Sequence, residues 1–163
     1  MKNLFAFIIL IGFISCSKSL ESDYNNASEL LKQNKVQEAI EEFTKIAEAS
    51  DKNFSPKALV QLATIYQNKM DKNISALESA DKAQYFFRTV FDKYPENSDA
   101  PKALFMSAFI LANELNKYDE ATKAYNLFIE KYPNHELAAS AKQELEYIGL
   151  SPEEILKRKM AQQ

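Results

Sequence analysis

Three stretches of the chain share one spacing. Ala39, Ala83 and Ala121 each precede an aromatic by four positions, at Phe43, Phe87 and Tyr125. Each aromatic is followed three positions later by Ile46, Val90 or Phe128. A series at i, i+4 and i+7 falls on one face of an α-helix. The alanine at its head leaves room for a second helix to come close. Pro95 and Pro133 both stand twelve residues after their alanine. A proline there cannot extend the helix and helps to end it. A second pattern runs through Leu59, Leu62, Ala63 and Tyr66, and again through Leu104, Ser107, Ala108 and Leu111. It too gives one packing face with a small residue in it. The unit is therefore a pair of unlike helices, used several times.

Short words recur at the ends of these helices. "DKYP" at 92–95 is echoed by "EKYP" at 130–133, "PKAL" stands at 56–59 and 101–104, and "NKVQEA" at 34–39 answers "NKYDEA" at 116–121. "QNK" at 33–35 and "LNK" at 115–117 place an asparagine where the first helix of a pair ends. Asparagine tolerates the left-handed backbone that such an end requires. The helix starts are marked as well. Ser55 before Pro56 reads as a cap followed by the first helical position, Ser98 can cap a helix with Pro101 in its first turn, and Asn134 can cap the helix after Pro133. Gly149 ends the helix expected over 134–148, and Ser151 with Glu154 forms a capping box for a last short helix.

These residues resemble the tetratricopeptide repeat, a helix-turn-helix unit of about 34 residues with a large-Leu-Ala-Tyr first helix, then an alanine, an aromatic and a closing proline. The likeness runs from about residue 22 to 148. It is clearest at Leu59, Leu62, Ala63, Tyr66, Ala83, Phe87 and Pro95, and at Ala108, Ala121, Tyr125 and Pro133. The first unit keeps Ala27, Leu30, Ala39 and Phe43, with Asp51 where the proline would stand. The resemblance implies an all-α fold, a right-handed superhelical stack of about three repeats with a capping helix. In such stacks each pair buries its open face against the next. The first excess in period lies between Ala63 and Ala83, which are 20 apart where Ala27 and Ala39 are 12 apart. The connection after Tyr66 is thus enlarged by about eight residues, as a protruding loop or an extra turn of helix.

The chemistry available is limited. The chain has two glycines, which leaves no Gly-rich phosphate loop. Its net charge is −3 with no basic stripe, which disfavours nucleic acid. His135 is the only histidine, and the only cysteine is Cys16. A zinc site needs more ligands than these. Carboxylate pairs such as Glu41 with Glu42 fall on polar helix faces. Neither an enzyme nor a cofactor is expected.

The first fifteen residues read differently. One lysine precedes an apolar run from Leu4 to Ile14, too short for a bilayer, which needs about 20 residues. A charged start and a short apolar stretch describe a secretory signal. Its end at Cys16 resembles a bacterial lipoprotein signal, in which that cysteine is acylated and begins the mature chain. The division expected is a signal over 1–15, a lipidated tether over 16–21, a repeat domain over 22–150 and a short helical tail over 151–163.

The chain thus looks like the tetratricopeptide lipoproteins of bacterial envelope assembly. The lipoprotein subunit of the outer-membrane β-barrel assembly machine and the periplasmic coordinator linked to the Tol-Pal system are similar types. The resemblance implies a lipid-anchored scaffold in the cell envelope, on the outer membrane facing the periplasm, whose partners are other envelope proteins or peptide segments. In repeats of this kind the first helices line a groove for partner segments. Here that face carries Lys57, Val60, Thr64 and Gln67, then Phe105 and Phe109 as candidate apolar anchors. An alternative is a ligand-capturing lipoprotein that serves a transporter, which requires a closed, polar-lined pocket. Another is a soluble adaptor. Replacing Leu62 or Phe87 by alanine is expected to cost roughly 2–5 kcal/mol in urea unfolding. An equal loss at an exposed lysine would reverse this assignment of faces.

Overall fold

The computed structural model describes the backbone of residues 14–161 and the side chains of residues 20–161. Its helices are α1 (Ile14–Lys32), α2 (Val36–Glu48), α3 (Phe54–Gln67), α4 (Ala76–Lys93), α5 (Ala100–Asn113), α6 (Tyr118–Lys131), α7 (Ala138–Tyr147) and α8 (Pro152–Ala161). No strand occurs among the described residues, and no described helix is long and apolar enough to cross a membrane. Residues 1–13 of the expected signal, and the side chain of Cys16, lie outside the described residues. The expected tether over 16–21 is part of α1.

The core forms because each helix pair is closed by the first helix of the next pair. One cluster joins Ala27 of α1, Ala39, Phe43 and Ile46 of α2, and Ala58, Leu62 and Ile65 of α3. The next joins Leu59, Ala63 and Tyr66 of α3 to Ala83, Phe87 and Val90 of α4 and to Ala103 and Ile110 of α5. The third joins Leu104, Ala108 and Leu111 of α5 to Ala121, Tyr125 and Phe128 of α6 and to Ala138 and Ala141 of α7. Every position of the repeated spacings is buried, and Ala39, Ala63, Ala83, Ala108 and Ala121 have no exposed surface. A larger side chain at these crossings would push two backbones apart. Each buried Leu, Ile, Val or Phe contributes about 1.5–3 kcal/mol. Among the described residues, the Tyr125 hydroxyl is the one buried side-chain polar atom without a hydrogen-bond partner. That burial, with the Glu144 carboxylate second, pushes its pKa up.

The turns within pairs each use one left-handed residue. Asn34, Lys69, Asn116 and Gly149 have φ of 60°, 53°, 53° and 75°. The two asparagines stand where the sequence places them. At α1 and α3 the ends are Schellman motifs: Lys35 N–H donates to Leu30 O and Asn34 N–H to Leu31 O, as Met70 N–H does to Ile65 O and Lys69 N–H to Tyr66 O. The word "QNK" recurs at 67–69, but α3 runs one residue further into it. Lys69, not Asn68, therefore takes the left-handed position.

The junctions between pairs share one device, and it corrects the expected caps. α3, α5 and α7 each begin three residues after Asp51, Asn97 and His135. Asp51 Oδ1 accepts the N–H of Asn53 at 2.8 Å, Asn97 Oδ1 that of Asp99 at 2.9 Å, and His135 Nδ1 that of Leu137 at 3.1 Å. The side-chain acceptor thus sits two residues before the helix cap and holds the turn. Ser55 is inside α3, where its hydroxyl donates to Ile46 O and ties the helix to the end of α2. Ser98 is exposed, and α5 follows Asp99, with Pro101 in its first turn as expected. Asn134 does not cap either, because residues 134–137 are taken up by the turn around His135; α7 starts at Ala138. Ser151 and Glu154 do form the capping box: Ser151 N–H donates to Glu154 Oε2 at 2.8 Å and Glu154 N–H to Ser151 Oγ at 3.3 Å. These bonds hold the Glu154 carboxyl below its usual range.

The enlarged connection divides in two. Ala83 is the eighth residue of α4, whereas Ala39 and Ala121 are the fourth of α2 and α6, so four extra residues extend the helix by about one turn. The remainder is a loop at 68–75, which lies against the stack. Its Asp71 is buried and accepts a hydrogen bond from Gln37 Nε2 of α2 at 2.6 Å. Ser75 caps the extra turn by accepting the Glu78 N–H. At the other end, α8 buries no residue and is tied to α7 by Arg158, which donates to Glu146 O, and by Lys159 over the Tyr147 ring.

The shared junction leads to a direct comparison. His135→Asn restores the acceptor used at Asn97 and is expected to cost less than His135→Ala, which should lose about 0.5–2 kcal/mol. Urea unfolding of both variants decides it. An asparagine variant no more stable than the alanine variant would assign His135 to ring packing rather than to the turn.

Candidate functional site

The face expected to bind partners is built on α3 and α5. Lys57, Val60, Thr64 and Gln67 recur at three and four residues along α3 and so share a flank. Lys57 is exposed and the other three are half-buried. The Lys57 ammonium lies 5.2 Å from the centre of the Phe54 ring. Thr64 Oγ1 donates to Val60 O at 2.8 Å, so its hydroxyl is turned onto its own helix. Val60 packs at the margin of the middle core cluster.

Phe105 does not stand in an open groove. It is only 9% exposed and its ring meets Tyr125 and Phe128 edge-on, at 5.6 and 5.8 Å between centroids. The reason lies on α6. Ala121 and Ala124 bring that helix close, and its two rings then reach the flank of α5 that carries Phe105. Phe109, one turn further on, is half-buried at the edge of the same cluster. Asn113 is exposed beyond it and donates to Phe109 O. The face therefore presents polar and cationic groups on α3 and one partly open aromatic on α5.

Two other surfaces were not legible as sites in the sequence. One lies over α4 and α6, lined by Gln84, Arg88, Leu111, Lys117, Glu120 and Lys123. Its cations are largely engaged: Arg88 pairs with Asp92, and Lys117 with Asp81 at 2.8 Å, which raises the Lys117 pKa. The other is a cleft of about 640 Å³ between the junctions at 50–53 and 93–98. Lys52, Lys93, Tyr94, Pro95 and Asn97 contribute to its walls. The signal for it is a departure from the repeat, since Asp51 stands where Pro95 and Pro133 recur.

Residues 102–135 match the family model of the tetratricopeptide repeat. That span runs from the first turn of α5 through α6 to His135. No curated protein matches the chain. Among the described residues the chain is an all-helical stack, and the segment similar to the tetratricopeptide repeat, α5 with α6, is built on the same three-helix core and the same junction as its neighbours.

Proposed function

We propose that the chain is a lipid-anchored tetratricopeptide scaffold of the bacterial cell envelope, holding other envelope proteins during outer-membrane protein assembly. The observation that carries the scaffold reading is the iterated helix pair itself. Its side chains are spent on closing the stack, and what remains on the outside is a set of helix faces fit for contact. Tetratricopeptide repeats present such faces to protein partners. The anchor rests on the apolar run from Leu4 to Ile14 and its end at Cys16. The partner face rests on Lys57, Val60, Thr64 and Gln67 with Phe109; Phe105 supports it from within.

Two measurements test the two parts. On membrane fractionation the wild type is expected to pellet and Cys16→Ala to stay in the supernatant; a wild type that stays in solution makes the chain a soluble adaptor. In crosslinked envelope membranes, Phe109→Glu should keep its helical circular dichroism and lose most partner recovery. Phe105→Glu should unfold, because it buries a charge against the rings of Tyr125 and Phe128. Recovery of the same partners by a folded Phe109→Glu variant would exclude this face.

A further inference from the structure

Two junctions of the stack have the same backbone and different surroundings. Tyr94 and Tyr132 end α4 and α6 with φ, ψ of −132°, 55° and −131°, 54°. Each is followed by a proline and then by the turn that Asn97 or His135 holds. Tyr132 is enclosed by rings: Phe128 at 5.6 Å, Phe91 at 6.3 Å and His135 at 6.4 Å. The corresponding positions around Tyr94 are Val90, Ala47 and Asn97, none of them aromatic. The junction before it is also short. From Ile46 to the start of α3 is 8 residues, against 10 from Val90 to α5 and 10 from Phe128 to α7, because no Tyr-Pro pair is present.

The cleft of about 640 Å³ opens here, with Tyr94 and Pro95 on one side and Lys52 and Asn53 on the other. Lys52 and Lys93 line it, and neither has an ion-pair partner among the described residues. Glu96 is the only carboxylate in the lining. The stack thus repeats a tyrosine that elsewhere packs among rings, withholds the rings, and places two unneutralised ammonium groups beside the gap.

We propose that this cleft docks an acidic segment of a partner protein through one aromatic side chain. The ring would lie against Tyr94 and Pro95 on the side of Asn97, the position that His135 takes beside Tyr132. Carboxylates flanking it would meet Lys52 and Lys93. Rim charges of this kind set the rate of encounter and make binding salt-dependent. The site is separate from the α3 and α5 face, so its partner segment engages the edge of the stack where the junctions lie.

The test uses the full chain in detergent micelles and a fluorescein-labelled peptide Glu-Glu-Phe-Glu-Glu, read by fluorescence anisotropy. Binding is expected, and it should weaken as salt is raised. Replacing the probe's Phe by Ala should weaken it by about tenfold, and so should Lys52→Glu with Lys93→Glu in the protein. Asn97→His supplies a ring of the chain's own at a position that lines the cleft, keeps an acceptor for the turn as His135 does, and should weaken binding of the probe while circular dichroism stays helical. Phe109→Glu should bind the probe like wild type. No binding to the wild type overturns the proposal, as does equal binding of Lys-Lys-Phe-Lys-Lys. The exposed lysine pair keeps the test decisive if Asn97→His fails to fold: undiminished affinity in the double variant also overturns it.

Discussion

A pair of antiparallel helices leaves one apolar face uncovered, and the rest of this structure follows from covering it. α3 shows how. Ala58, Leu62 and Ile65 close the pair before it, while Leu59, Ala63 and Tyr66 open the pair it begins. One helix thus belongs to two cores. The small residues at the crossings let three helices meet, and they are as necessary as the large ones that fill the space between. Such a core has no boundary along the chain, so stability is a sum of units and of the contacts between neighbours.

The junctions set the pitch from one unit to the next, and they are built more strictly than the turns. Asp51, Asn97 and His135 are chemically unlike, yet each offers an acceptor to the backbone N–H two residues on. The turns inside pairs tolerate more. The connection between α3 and α4 takes eight residues and the one between α1 and α2 takes three, each with one left-handed residue, Lys69 or Asn34, past the end of the first helix. A turn has only to close the backbone of one helix end and deliver the next helix to its alanine crossing. A junction has to hold two cores in register.

Much of this fold was legible in the sequence because helix packing writes its period into the chain. The alanine-aromatic spacing marked α2, α4 and α6, and every residue it named is buried. The caps were less legible. A serine before a helix reads as a cap, but Ser55 lies one residue inside α3 and binds the end of α2 instead. Local pattern places a capping residue; only the neighbouring helix decides which groups are left for it to satisfy. The partner face was half legible for a related reason. Phe105 and Phe109 stand four apart on α5 and look equivalent, since a helix closed on two sides is apolar over most of its circumference.

By itself the sequence determined that the chain is a series of paired helices, where each pair turns, and which stripe of each helix is buried. These are properties of period and of local backbone preference. The tertiary structure alone decided that Phe105 belongs to the core and Phe109 to its edge, because that depends on where the rings of α6 arrive. It also decided that one junction is left unfilled. Tyr94 and Tyr132 both precede a proline at a helix end, but packing brings the Phe91 ring of α4 to Tyr132 beside Phe128 and His135 and leaves Tyr94 beside a cleft.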